Sequence, residues 1–245
     1  MLTTALTKIA FLIAGAIAAH ITWTAPNPPP KHDERKKYGH WGAGDLEIML
    51  SHWMCVALKV GPGFLALCET ITILALQYPS TASAHLQRIL SFGLAAPQYA
   101  RLMNITPVFL VGSVLQISAG LLRVACYNRL GRYFTFPLAV AEDQKLITSG
   151  PYAFVRHPSY TAIIIQIIGM LLCQLGRGSW VVESGVTQTI LGKAAVYTLI
   201  TFSVMMILGV VVRTDKEDEV LKGEFGEEWE AWSRKTPSKL IPGIF

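Results

Sequence analysis

The sequence predicts an all-α, polytopic integral membrane protein with about five transmembrane helices and a helical C-terminal region on the cytosolic side. Three observations predict it. The 245-residue chain is 52% hydrophobic and only 15% charged, far from the balance of an average soluble domain. Its apolar residues gather in runs near Leu2–Trp23, Pro62–Tyr78, Thr106–Cys126, Pro158–Leu175 and Thr189–Val212, each close to the roughly 20 residues a helix needs to cross a bilayer. Its basic residues sit in alternate connections. Lys31, Arg35, Lys36 and Lys37 follow the first run, Arg129, Arg132, Lys145 and Arg156 the third, and Arg213, Lys216, Lys222, Arg234, Lys235 and Lys239 the last. The intervening connections carry Arg88, Arg101 and Arg177. Positive charge favours the cytosolic side, which predicts an N-terminus outside and a C-terminus in the cytosol. The basic excess therefore reads as topology and contact with membrane lipid, and it does not point to nucleic acid.

The first run contains Lys8 and a small-residue stretch, Ala16-Ile17-Ala18-Ala19. Its apolar length exceeds that of a secretory signal, so it reads as an uncleaved span. Pro26-Asn27-Pro28-Pro29-Pro30 follows as a stiff extended linker. Asp45–Lys59 reads either as an amphipathic surface helix or as part of another crossing, with Gly61-Pro62-Gly63 marking a break or kink before the second span. In Thr81–Ala96, Leu86, Ile89, Leu90 and Leu94 recur at helical spacing, as in a helix lying on the outer membrane surface. Gly131–Tyr152 is a long polar connection, the kind of segment that carries ligand contacts. Beyond Val212 the chain turns strongly charged, and Asp215–Glu228 is helical in character. Trp229 and Trp232, three apart, suit headgroup depth, and Pro237 and Pro242 end regular structure.

Three ionisable residues fall within apolar runs. A carboxylate in a span needs a partner or a cavity, so Glu69 either makes an interhelical hydrogen bond or lines a tunnel. Lys59 and Arg123 are expected to snorkel or pair. Cys55, Cys68, Cys126 and Cys173 show no paired spacing and read as buried apolar thiols. The six histidines are scattered, without the clustering of a metal site, so no metal is expected.

Two polar clusters remain. Gly150-Pro151-Tyr152-Ala153-Phe154-Val155-Arg156-His157-Pro158-Ser159-Tyr160 runs straight into the fourth span, with Pro158 suited to a helix's first turn. Arg213-Thr214-Asp215-Lys216-Glu217-Asp218 ends the fifth, and on a continuing helix Arg213 and Glu217 share a face. Taken singly, each cluster also fits an ordinary snorkelling helix end or surface ion pair. The predicted topology puts both on the cytosolic side. The chain divides into an N-terminal membrane region, 1–128, and a second region, 129–245. The latter comprises a loop (129–157), a helical hairpin (158–212) and a cytosolic helix and tail (213–245).

Over its C-terminal half the chain resembles the isoprenylcysteine carboxyl methyltransferase family. The residues that carry the likeness are Leu146-Ile147-Thr148-Ser149-Gly150-x-Tyr152 and Arg156-His157-Pro158-Ser159-Tyr160. After the hairpin come Arg213-x-x-x-Glu217-Asp218, Leu221, Phe225-Gly226-Glu227-Glu228 and Ile241-Pro242. The family's His before Leu146 is here Gln144, its Glu-Glu pair is Glu217-Asp218, and a cofactor-loop Gln aligns with Ala139. The resemblance implies S-adenosyl-L-methionine as methyl donor and prenylated C-terminal cysteine proteins as substrate, at the cytosolic face of the endoplasmic reticulum membrane. It implies that Arg213 holds the acceptor carboxylate and that Glu217 fixes the donor or orients Arg213. Ala139, Gln144, Lys145, Leu146, Ile147, Gly150, Tyr152, Arg156, His157, Pro158, Ser159 and Tyr160 fall on the donor side, with Arg156 either holding the donor carboxylate or bracing the loop. The competing readings are a phospholipid amine methyltransferase of the same fold, a sterol-reductase-like membrane oxidoreductase and a non-catalytic scaffold.

Overall fold

The computed structural model describes residues 2–29, 45–92, 103–137, 140–141 and 143–245, and every regular element among them is helical. The α-helices are α1 (Leu2–Trp23), α2 (Asp45–Gln77), α3 (Thr81–Leu90), α4 (Pro107–Leu130), α5 (Pro158–Leu175), α6 (Trp180–Glu183), α7 (Ile190–Phe225) and α8 (Glu227–Lys235). Five of them, α1, α2, α4, α5 and α7, are long and apolar enough to cross a membrane, as the hydropathy pattern predicts. Helix ends follow local chemistry. Thr106 accepts a hydrogen bond from the Phe109 N–H ahead of Pro107 at the first turn of α4. Thr189 caps α7 through the Gly192 N–H, and Ser80 and Ser83 form a reciprocal capping box on α3.

Of the break or kink expected at Gly61-Pro62-Gly63, the structure has no break: α2 runs unbroken through Pro62, so Asp45–Lys59 belongs to the same helix as the second span. A proline inside a membrane helix is tolerated where neighbouring groups hold the helix, and here the Gln174 amide of α5 ties the helix to α5 by donating to the Pro62 carbonyl at 3.4 Å. As expected of a continuing helix, α7 runs past Val212 to Phe225, and it stops at Gly226, whose φ of +51° favours glycine. Residues 93–96 of the expected Thr81–Ala96 helix lie outside the described residues; the described helix ends at Leu90.

Helices α4 and α5 pack closely because glycines let their backbones approach. A Cβ added to Gly112 would stand 2.7 Å from the Gly169 carbonyl oxygen, and one at Gly169 would stand 2.6 Å from that of Gly112. Small residues at such a crossing allow the dense packing that holds membrane helices together, since lipid is as apolar as a leucine.

One end of the bundle gathers the C-terminal ends of α1 and α4 with the start of α5. The Tyr127 hydroxyl donates to the Ile21 carbonyl at 2.7 Å, and the Asn27 amide donates to the carbonyls of Gly131 and Phe134. The Lys59 ammonium donates to the Thr24 hydroxyl at 2.9 Å. At the other end, a buried ion pair ties α1 to α2. Lys8 and Glu69 approach to 2.6 Å, both almost fully buried. Lys8 also donates to the Gly178 carbonyl at 2.7 Å, and Glu69 accepts the Trp180 N–H at 3.0 Å. Glu69 thus has an ion-pair partner and a backbone donor, and the pair pins the connection between α5 and α7 onto the first two spans. Removing one member would strand a buried charge, at about 3–5 kcal/mol. Lys8→Met alone and Glu69→Leu alone should each lower the thermal midpoint in detergent markedly, and the double variant should recover most of the loss. Equal or additive losses in all three would contradict a coupled pair.

Candidate active site

The polar end of the bundle is built around the entry to α5. A 3-10 turn spans Gly150–Ala153. Gly150 adopts φ +65°, a conformation that favours glycine, and the Arg129 side chain packs against it, with Nε 2.7 Å from where a Cβ would stand. Next to it Tyr152 is buried among Cys126, Phe134 and Trp232. Its burial pushes the phenol above its ordinary range and keeps it neutral. Pro158 starts α5. The preceding His157 turns its ring away from any capping role and toward α7.

Arg156 and His157 meet two partners: α7 and the C-terminal tail. The Arg156 and His157 N–H groups donate to the Ser238 and Lys239 carbonyls, both at 2.9 Å. The Arg156 guanidinium donates to Asp218 from Nη2 at 3.0 Å and from Nε at 3.2–3.3 Å. Its Nη1 donates to the Thr236 and Pro237 carbonyls at 3.0 and 2.6 Å. His157 is enclosed by the same helix, with Nε2 3.0 Å from Asp218 Oδ1 and Nδ1 3.5 Å from Glu217 Oε2. Burial alone would lower its pKa, but hydrogen bonds and charge attraction from Asp218 and Glu217 outweigh it and raise the pKa to about 9. At neutral pH His157 is therefore an imidazolium held between two carboxylates.

Arg213 and Glu217 share one face of α7, as their four-residue spacing predicts, and both reach Tyr160. The Tyr160 ring stacks on His157 at 5.7 Å and 15°, and its hydroxyl hydrogen-bonds Glu217. The Arg213 guanidinium lies 6.0 Å from the Tyr160 ring centre and donates through Nη2 to the Phe136 carbonyl.

The remaining expected residues fall around this centre. Leu146 and Ile147 pack against the cluster of Cys126, Phe134, Tyr152 and Trp232. Gln144 closes a turn with Ala141, its N–H donating to the Ala141 carbonyl at 3.0 Å and its amide oxygen accepting the Ala141 N–H at 3.2 Å. Lys145 is exposed. Ser159 accepts hydrogen bonds from Arg123. Ala139 lies outside the described residues. The structure thus brings Arg156, His157, Tyr160, Arg213 and Glu217 together, while Gly150 faces Arg129 and Gln144 is occupied by its own turn.

Three features of the site were not foreseen. Asp218, which stands where a second Glu was expected, is the acceptor shared by Arg156 and His157. Residues 236–240 form a strap across the start of α5, to which the Thr161 hydroxyl adds a 2.7 Å bond to the Leu240 carbonyl. Trp232 is buried within the protein, and its indole N–H donates to the Tyr152 carbonyl at 3.1 Å. It packs there because α8 folds back after Gly226 and turns that side of the helix onto Tyr152.

The fold and this end of the bundle define a class: an all-helical, multi-span membrane protein with a polar site where α5, α7 and the tail converge. Residues 111–182 match the sequence model of the isoprenylcysteine carboxyl methyltransferase family, a stretch running from α4 through α6. The chain is similar to the protein-S-isoprenylcysteine O-methyltransferase of Schizosaccharomyces pombe, 32% identical over 160 residues that make up 59% of this chain and 60% of the relative. It is also similar to protein-S-isoprenylcysteine O-methyltransferase B of Arabidopsis thaliana, 26% identical over 52% of this chain and 56% of the relative. A Delta(14)-sterol reductase of Gibberella zeae is 23% identical over 59% of this chain and 36% of the relative. The matched part thus takes in 60% or less of each of these relatives. The family match ends before Arg213 and Glu217, yet the fold returns both to the matched Arg156–Tyr160 segment.

The charge state of His157 yields a pH prediction. Its folded pKa lies above the unfolded value of about 6.5, so its contribution to stability is fully present below pH 6.5 and is lost as pH rises through about 9. The thermal midpoint in detergent should fall across that window, and His157→Gln should flatten that part of the profile. An unchanged slope in the variant would remove His157 as its source.

Proposed function

We propose that this chain transfers a methyl group to the C-terminal carboxylate of prenylated cysteine proteins, with S-adenosyl-L-methionine as donor, at the cytosolic face of the endoplasmic reticulum membrane. The observation that carries this reading is the convergence of Arg213, Glu217 and Tyr160 on the Arg156-His157 entry to α5, within and beside the segment that matches the family. An acceptor carboxylate is already ionised near neutral pH, so the reaction needs no general base. The site agrees with that demand: His157 is already protonated and enclosed by carboxylates. Its task is to hold Glu217 and Asp218 in place.

Orientation is then the main requirement, with the attacking oxygen about 3 Å from the methyl carbon and opposite its leaving sulfur. The planar fork of Arg213 suits the two oxygens of a carboxylate. Glu217, half-buried beside Tyr160, offers a carboxylate to a ligand ammonium. The residues present fit such a donor on a further count. The Trp229 indole N–H is buried with no partner among the described residues, on a ring 6.0 Å from Arg156, which leaves a donor for a ligand acceptor atom. Backbone groups at 144–147 and the Tyr152 region supply further walls. Bound S-adenosyl-L-methionine would supply an electrophilic methyl group on a sulfonium. For the prenyl chain, Phe64 of α2 and Leu208 and Val212 of α7 present apolar surface outward. Ile163 and Ile167 are buried between α2, α5 and α7, so a chain entering from lipid would pass from the first group toward the second.

The test supplies membranes carrying the protein with labelled S-adenosyl-L-methionine and either N-acetyl-S-farnesylcysteine or phosphatidylethanolamine. Base-labile methyl ester on the farnesylcysteine is the expected product. Methylated lipid alone, or no transfer together with NADPH-dependent sterol reduction, would overturn the reading in favour of its rivals. Within it, Arg213→Ala should reduce methyl transfer at least ~100-fold while leaving donor binding largely intact. Glu217→Ala with full turnover would remove Glu217 from the site.

A further inference from the structure

The tail does more than cross the start of α5. Along the strap Thr236, Ser238 and Leu240 are buried, while Pro237 points outward and Lys239 is half-buried. Beyond Leu240 the chain closes on itself in a hook. The Leu240 and Ile241 N–H groups both donate to the Phe245 carbonyl oxygen, at 2.7 and 2.8 Å. The Ile244 and Phe245 N–H groups donate back to the Ile241 carbonyl, each at 3.1 Å. The Gly243 N–H donates to the Ser238 hydroxyl at 2.9 Å, and Gly243 makes the turn at φ +74°. Proline has no N–H, so every backbone donor from Leu240 to Phe245 has an acceptor within the hook or the strap.

What the hook turns outward is apolar. Ile244 is 80% exposed, Ile241 49% and Phe245 45%. Two contacts fix the height of this tip relative to the membrane. The Leu240 carbonyl accepts from Thr161, in the first turn of the α5 span. Lys239 pairs with Asp215 of α7, three residues past Val212, whose apolar side chain still faces outward. The hook therefore stands where both helices change from apolar to charged, the level of a bilayer's headgroups. The Lys239 ammonium also lies 5.4 Å from the centre of the Phe245 ring. A cation thus borders the apolar tip, as in interfacial segments that set basic groups at lipid phosphates and apolar ones below them.

We propose that the hook at 241–245 is a lipid-binding element. Ile241, Ile244 and Phe245 enter the headgroup and acyl boundary of the leaflet at this end of the bundle, with Lys239 at its phosphates. Hydrocarbon offers no water to open backbone groups, and the closed donors of the hook meet that condition in advance. The contact has a consequence for the site. The Thr236 and Pro237 carbonyls hold the Arg156 guanidinium, and those of Ser238 and Lys239 hold the Arg156 and His157 backbone. Lipid at one end of the strap thereby steadies the entry to α5 at the other. This lipid contact is independent of which reaction the site performs.

The experiment attaches a nitroxide to the full chain through Ile244→Cys, in nanodiscs of phosphatidylcholine and phosphatidylserine with one copy per disc. Wild type treated with the same reagent is the blank, since Cys68, Cys126 and Cys173 are buried. Glu228→Cys, at an exposed position of α8, is the aqueous reference. Collisions with oxygen, which concentrates in lipid, and with a water-soluble nickel chelate give the depth. The label at 244 should meet oxygen in preference to nickel and report a depth of roughly 5–10 Å into the headgroup and acyl boundary. Nickel access equal to that at position 228 would put the hook in water and overturn the proposal. Exclusion of both reagents would overturn it too, because protein and not lipid would then cover the tip. A second arm reads the link to α5. Ile244→Asp keeps the backbone of the hook, and in nanodiscs it should lose hydrogen-exchange protection at the Arg156 and His157 amides. In amphipol, where no bilayer is present, that variant and wild type should match. Equal protection in nanodiscs would sink the link, and an equal loss in amphipol would make Ile244 a folding contact and not a lipid one.

Discussion

Asp218 is the point on which the polar end of this molecule depends. One carboxylate accepts from the Arg156 guanidinium and from the His157 ring at 3.0 Å each, and so ties the start of α5 to the charged extension of α7. Arg156 in turn carries the tail through the Thr236 and Pro237 carbonyls. Asp218 on α7 and Arg156 just ahead of α5 thereby set the relative position of Tyr160, Arg213 and Glu217. Loss of the shared acceptor would leave a buried guanidinium and imidazolium facing each other, which repel where before they were bridged.

The surrounding solvent sharpens that dependence. In a bilayer no water compensates an unpaired polar group, so every buried charge must find its partner inside the protein. At the far end Lys8 and Glu69 do this with the help of the Gly178 carbonyl and the Trp180 N–H. At the polar end Asp218 and Glu217 do the same for Arg156 and His157.

Much of the fold was legible because lipid forces a simple pattern on the sequence. The hydropathy runs at Leu2–Trp23 and Pro158–Leu175 coincide with α1 and α5, and the i,i+4 spacing placed Arg213 and Glu217 on one face. What stayed hidden involves contacts across the sequence. Nothing local in Lys8 names Glu69, 61 residues away, as its partner. Pro62 suggests a break or kink because the sequence shows the lost hydrogen bond but not the packing of α2 against α5, to which Gln174 contributes a bond to the Pro62 carbonyl. Residue type suggests headgroup depth for Trp232 and snorkelling or pairing for Arg123, and it names no partner. Each side chain is buried in the protein with its N–H on a distant backbone carbonyl, Tyr152 for Trp232 and Ser159 for Arg123. The strap at 236–240 carries no sequence signal at all, since its bonds are made by backbone carbonyls, which any residue could supply.

The coupling between Arg156 and Asp218 tests the central claim most directly. A double-mutant cycle of Arg156→Met and Asp218→Leu, read as unfolding free energy in a fixed detergent or nanodisc, isolates their interaction. The clasp predicts a coupling of about 2 kcal/mol or more, with each single variant far worse than the pair would be if the two were independent. Additivity within about 0.5 kcal/mol would contradict it, and would leave the meeting of the two clusters without its physical cause.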